Sequence, residues 1–161
     1  MENFIESLNS AEQKIKTADH IIYITYPLIK EKRLLKKTIE ELHESASSII
    51  RTLLSYEAFY KRIGPNETSL TTFKEKCASR FNISPQELET ILELFSLVEK
   101  YKDSAMEFVR KDGLVIMNDN LKTESISIDS LKKYLSAIKI LLQKTKAKME
   151  QEFFGLRKVQ K

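Results

Sequence analysis

Between residues 35 and 60 one spacing recurs without a break, and it limits what this chain can fold into more than any other feature. Leu35, Ile39, Leu42, Ala46, Ile49, Leu53, Tyr56 and Tyr60 follow one another in steps of four and three. Residues three and four apart share a helix face, so these eight positions paint one apolar seam. Ile50 and Leu54 widen it in the middle. A seam of this length needs partners along most of it, at the shallow crossing angles of a bundle. The spacing predicts a helix from about Lys30 to Ile63, stopped at Gly64-Pro65-Asn66, where glycine can cap and proline cannot continue.

The same reasoning extends along the chain. Phe4, Leu8, Ala11, Ile15, Ala18 and Ile22 predict a first helix capped near Asn3, which Pro27 should end or kink at Tyr26. A short helix is expected from about Ser69 to Arg80, with Leu70, Phe73, Cys77 and Phe81 inward. Ser84-Pro85-Gln86-Glu87 is a helix-start signal in which serine caps, proline suits the first turn and glutamate closes a capping box. The helix it opens should carry Ile91, Leu94, Val98, Tyr101, Ala105 and Phe108 inward and end by Gly113. Leu114–Met117 and Leu121–Ser125 can pair as a small hairpin across Asn118-Asp119-Asn120. A last helix should start near Ser127, bury Ile128, Leu131, Leu135, Ile138, Leu142 and Met149, and end at Gly155 before a fraying basic tail. The expected fold is all-α, an antiparallel bundle of four to five helices in one domain, 1–161, with room for a hairpin near residues 114–125.

Composition agrees with that class. Only three glycines and three prolines are present, too few for a turn-rich β fold. Hydrophobic residues at 42% and charged residues at 31% are a globular balance. One cysteine, Cys77, cannot make an internal disulfide, which suits a reducing, cytoplasmic setting. The opening MENFIESLNSAEQK lacks the basic-then-apolar order of a secretory signal, and no apolar run is long enough to span a bilayer. No membrane association is expected.

The formal net charge of +4 permits nucleic-acid binding without arguing for it. Its distribution says more. Lys30, Lys32, Arg33, Lys36 and Lys37 crowd into one run with Glu31, at the start of a helix, where the dipole favours acids instead. This run is the candidate contact surface for an acidic protein or a nucleic acid, with Arg33 weighted most for its planar fork. The competing account is a solvated face neutralised by Glu40 and Glu41. A helix-turn-helix pattern runs through KCASRFNISPQELETI, with Ala78 at the close approach and Asn82 at a left-handed turn. Its second helix would offer DNA Ser84, Pro85, Gln86, Glu89 and Thr90 together with Glu87 and Glu93, so ordinary packing is the better reading.

Catalytic chemistry finds no foothold. Glu40 and His43 form one Glu-x-x-His where a di-iron bundle needs two and further glutamates, and His20 lies off its helix's stripe. Cys77 sits on an apolar face, where a thiol stays protonated. Gly64, Gly113 and Gly155 are isolated, so no glycine-rich phosphate loop exists. Tyr23, Tyr26, Tyr56 and Tyr60 could stack on a base, but at helical spacing they suit a core. No catalytic residue, metal site or cofactor is expected.

A first helix, a turn and a long helix opening on a basic stretch resemble the HEPN-type helical bundles. The segment SAMEFVRKDGLVI, Ser104 to Ile116, is similar to segments of small uncharacterised archaeal helical proteins. Active HEPN nucleases share an arginine followed closely by a histidine. Here Arg33 is followed by His43 only ten positions later, within one helix, so those roles do not carry over. The resemblance implies a non-catalytic member, with a homodimer as one form open to it. The reading that follows is a non-enzymatic helical-bundle module binding a macromolecular partner. The alternatives are a nucleic-acid-binding or regulatory protein using basic surfaces, or a divergent HEPN-like ribonuclease.

Overall fold

The computed structural model describes residues 2–104, 106–110 and 113–160. Helix α1 (Glu2–His20) is already under way at Glu2, one residue before the expected cap, and passes into a π turn at Ile21–Thr25. The short α2 (Tyr26–Ile29) follows directly. Helix α3 (Lys32–Phe59) is the seam helix, and α4 (Leu70–Thr72) runs into a second π turn at Phe73–Cys77. After α5 (Pro85–Lys102) come three strands, β1 (Met106–Val109), β2 (Gly113–Met117) and β3 (Thr123–Ser127), and then α6 (Ile128–Gln160). The structure is 72% helical with a small antiparallel sheet in the order β1-β2-β3.

Helix α3 is the axis of the core. Leu35, Ile39, Leu42, Ala46, Ile49, Leu53 and Tyr56 are all buried, with α1 packed along α3 and α6 against both. The inward residues expected of α1, α5 and α6 join the same cluster: Leu8, Ala11, Ile15 and Ile22; Ile91, Leu94 and Val98; Leu131, Leu135, Ile138 and Met149. Ser84 accepts the Glu87 N–H at 3.1 Å and Glu87 accepts the Ser84 N–H at 3.0 Å, closing the capping box.

Several boundaries depart from the sequence reading, each for a local reason. Pro27 does not end the first helix. The π turn opens the ladder just before it, with the Tyr26 N–H bonded to the Ile21 carbonyl, so proline enters at the first turn of α2 and its missing N–H costs little. Helix α3 stops at Phe59 rather than Ile63, and left-handed Lys61 (φ 59°), not Gly64, makes the turn. The early turn lets Arg62 fold back, its N–H bonding the Glu57 carbonyl at 2.9 Å. Helix α5 ends at Lys102. The Ser104 hydroxyl bonds the Tyr101 carbonyl, and the chain becomes strand at Met106. Phe108 therefore lies on a sheet instead of facing a helix core, and Ala105 falls outside the described residues. Gly113 opens β2 rather than closing a helix; a Cβ there would stand 2.8 Å from the Ile126 carbonyl oxygen, so glycine alone fits. The hairpin forms, but β3 begins at Thr123, because Asn118 accepts the N–H groups of Asn120 and Lys122 and Leu121 turns left-handed (φ 64°). Finally, α6 runs through Gly155 to Gln160, since one glycine costs a helix only about 1 kcal/mol.

One buried charge sits at the end of α3. Glu57 is 1% exposed. Its carboxylate accepts from Arg62 Nη1 at 3.2 Å and from Arg80 Nε at 2.9 Å, and the Arg80 Nη2 closes on it as well. Both arginines also reach Glu152 of α6, Arg80 at 2.9 Å. Two carboxylates and two guanidinium groups thus tie α3, the segment before α5, and α6 together. Burial pushes the Glu152 carboxyl up, but the bonds from Arg80 and Arg62 outweigh it and hold its pKa below the usual value.

Leu53 is fully buried mid-seam, so Leu53→Ala should cost about 2–5 kcal/mol in denaturant unfolding. Glu152 binds its proton less readily folded than unfolded, so its contribution is present above the ordinary glutamate pKa and lost as pH falls through the folded value. Glu152→Gln should therefore lower stability at neutral pH by about 1.5–3 kcal/mol and flatten the acid limb of the stability curve. Parallel curves for the two proteins would show the network to be neutral.

Candidate partner-binding face

The five cations of the basic run separate once folded. Lys32 and Lys36 converge on Glu107 of β1, their ammonium nitrogens 3.6 Å and 2.7 Å from one carboxylate oxygen. The hydrogen bond from Lys36 holds Glu107 below the usual carboxylate pKa against the effect of burial, with Tyr101 and Lys32 adding to it. The same bond raises Lys36. Lys37 pairs with Glu41 at 3.1 Å, one turn on, and Arg33 pairs with Glu31. Lys30 sits at the end of α2, left-handed (φ 54°), on the rim of a cleft. The run thus brings Lys32 and Lys36 together and points its other members elsewhere.

That cleft, about 690 Å³, opens between α2, the Gly113–Ser127 end of the sheet and the start of α6. Its lining is apolar through Ile22, Tyr26, Pro27, Leu114, Ile126 and Ile128. Lys30, Arg110 and Lys132 bring three positive charges to it, against Asp129. Helix α6 starts there, with the Ser127 hydroxyl accepting the Ser130 N–H at 3.1 Å. The Lys132 ammonium lies 5.2 Å from the centre of the Tyr23 ring, a cation–π contact that holds it at the rim.

The segment 21–30, which supplies one wall of the cleft, leaves large apolar side chains in water. Leu28 is 81% exposed, and Tyr23 and Ile29 are about half exposed. On the neighbouring strand, Phe108 and Val109 of β1 are also exposed, opposite Val115 and Leu114 of β2 in register, and they lie on opposite faces of the sheet. These residues, with Arg110, were hidden by reading residues 106–113 as helix. Two short apolar runs, MEFV and LVIM, flank Arg-Lys-Asp-Gly at 110–113, and that is a hairpin signal which could have revealed them.

The other candidate sites are closed or spent. The helix-turn-helix geometry forms, with Ala78 buried and Asn82 left-handed (φ 59°). Its second helix turns Gln86, Glu89, Thr90 and Glu93 toward a groove against α6, and Lys144 takes up the Glu87 carboxylate at 2.9 Å. A phosphate backbone would meet carboxylates there. Burial pushes the Cys77 thiol up to about 11, with Glu57 adding to the effect, so it is not a thiolate at neutral pH. Burial likewise raises Tyr56, helped by Glu152. His43 packs edge-on against Phe95, with centroids 5.2 Å apart, and burial together with Lys102 lowers its pKa. His20 Nδ1 lies 3.1 Å from the Thr25 hydroxyl. Among the described residues no three His, Cys, Asp or Glu side chains gather as metal ligands, and no helix is long and apolar enough to cross a membrane. Comparison of the chain with protein-family models, with curated proteins and with solved structures finds no match, so this face is read from its own chemistry.

Proposed function

We propose that this protein is a non-enzymatic helical-bundle module that binds an acidic protein partner at the cleft end of the bundle. One observation carries the reading. The exposed apolar residues Tyr23, Leu28 and Ile29 lie on the segment whose Ile22, Tyr26, Pro27 and Lys30 wall a cleft that Arg110 and Lys132 also line. An apolar centre within a charged rim is the anatomy of a protein interface, and an arginine at its border suits a carboxylate. Large apolar side chains gathered on a surface mark a contact site more often than chance exposure.

The titratable groups favour binding over chemistry. A nucleophile or base at neutral pH needs a tuned pKa and open space around it. Cys77 and Tyr56 are both buried and both pushed toward their protonated forms. The exposed apolar side chains beside the cleft favour a protein over a nucleic acid, whose phosphates would offer them no apolar contact.

The test is affinity purification of the tagged protein beside an Arg110→Glu, Lys132→Glu double variant. Proteins bound by the parent should be retained at least about tenfold less well by the variant, with a modest dependence on salt. Identical binding partners would overturn the reading. So would RNA or DNA binding with a steep salt slope that the same substitutions abolish.

A further inference from the structure

Among the described residues β1 forms a free edge of the sheet, and its register shows which of its backbone groups turn away from β2. The Arg110 N–H bonds the Gly113 carbonyl at 3.1 Å, which makes 110 and 113 a hydrogen-bonded pair. In an antiparallel ladder such pairs alternate, so Phe108↔Val115 and Met106↔Met117 also bond, while Glu107↔Ile116 and Val109↔Leu114 do not. The N–H and C=O groups of Glu107 and Val109 therefore point away from β2. The sheet order is β1-β2-β3, and no described strand lies beyond β1.

The two faces beside that edge differ in kind. Met106 and Phe108 lie on the outer face, where they pair with Met117 and Val115 and stay exposed at 58% and 37%. Glu107 and Val109 lie on the inner face, beside Leu114 and Ile116. Lys32 and Lys36 reach this face from α3, two ammonium groups around one carboxylate, and both remain partly exposed.

We propose that β1 is a strand-addition site for an extended segment of a partner protein, with apolar side chains on its outer face and carboxylates on its inner face. The inference rests on the partner-binding reading and names how that partner is held. Backbone bonds to Glu107 and Val109 supply affinity, and alternation of side chains supplies selectivity. Charge picks this occupant over a second copy of the chain. Two β1 edges paired about a two-fold axis would bring Lys32 and Lys36 toward their own counterparts, a net positive charge facing another. An acidic segment meets the same excess as attraction.

The test uses a capped synthetic peptide alternating valine and aspartate over about eight residues, a matching valine–lysine peptide, and hydrogen exchange read by NMR on the full chain. The valine–aspartate peptide should slow exchange at the Glu107 and Val109 amides and leave Phe108, already bonded, unchanged. Val109→Pro removes an N–H that the native sheet does not use, so the fold should survive while peptide affinity falls by at least about tenfold. Should that variant lose its native circular dichroism, Lys32→Glu with Lys36→Glu tests the same contact through charge, and at least about a tenfold loss is again expected. Equal affinity for the two peptides, undiminished binding by the variants, or protection that grows with protein concentration alone would overturn strand addition. Loss of partner capture on Arg110→Glu and Lys132→Glu, with no peptide effect at β1, would leave partner binding standing and remove only this mode.

Discussion

Water is excluded from one face of α3 over nearly its whole length, and everything else in the molecule is arranged to do it. Each fully buried leucine or isoleucine contributes about 1.5–3 kcal/mol relative to exposure, and α3 supplies them at Leu35, Ile39, Leu42, Ile49 and Leu53. No single helix covers such a seam. Helix α1 takes one side and α6 another, while α5 and β2 add to the cover. Because the seam is continuous, α3 cannot slide without exposing part of it, and its two ends become fixed points. One end delivers Lys32 and Lys36 to the edge of the sheet, and the other delivers Glu57 to two arginines.

The charge at the second end is costly unless every partner arrives. A lone buried carboxylate would lose hydration that the core cannot replace, whereas Glu57 receives N–H groups from Arg62 and Arg80. Those arginines come from either side of α4, and Glu152 comes from α6. Sliding α3 by one turn would strand Glu57 and both guanidinium groups together. The consequence is specificity of register, beyond what apolar packing alone enforces. Arg62 also lies 5.1 Å from the centre of the Tyr60 ring, a cation–π contact that adds to its hold on the network.

Where periodicity was long, the sequence was readable. The seams of α1, α3, α5 and α6 follow from steps of three and four, and the capping box at Ser84 follows from its four residues. The basic run was visible too, but its separation was not. Lys32 and Lys36 find Glu107 from 71 positions away in the Lys36 case, and no local pattern encodes such a meeting. The run from Met106 to Val109 continued the helical stripe of α5 and was misread for that reason. Short apolar runs serve either structure, and here pairing with β2 decided the matter. Helix ends depart from the stop signals for local reasons: Arg62 returning to Glu57 ends α3 before Gly64, and α6 runs on through Gly155 because a single glycine costs a helix little.

The part of the molecule proposed to bind is the part that was hardest to read, and the two facts share a cause. The cleft is walled by a π turn, a left-handed lysine and a three-stranded sheet, all places where the regular helical pattern gives way. Natural sequences agree with themselves from level to level except where another demand intervenes. A bundle closed on its own core would gain by making Leu28 polar, since it hides little surface from water. It would also gain by lengthening the bundle helices through residues 103–113 and dispensing with a sheet edge, which is a standing invitation to aggregation. Edge strands are commonly guarded by inward charges, and Glu107 is such a guard. Here two lysines more than neutralise it, and in the proposed mode that excess would repel other basic edges and admit an acidic strand. On the proposed mode of binding, protection against self-association and selection of a partner come from the same three side chains.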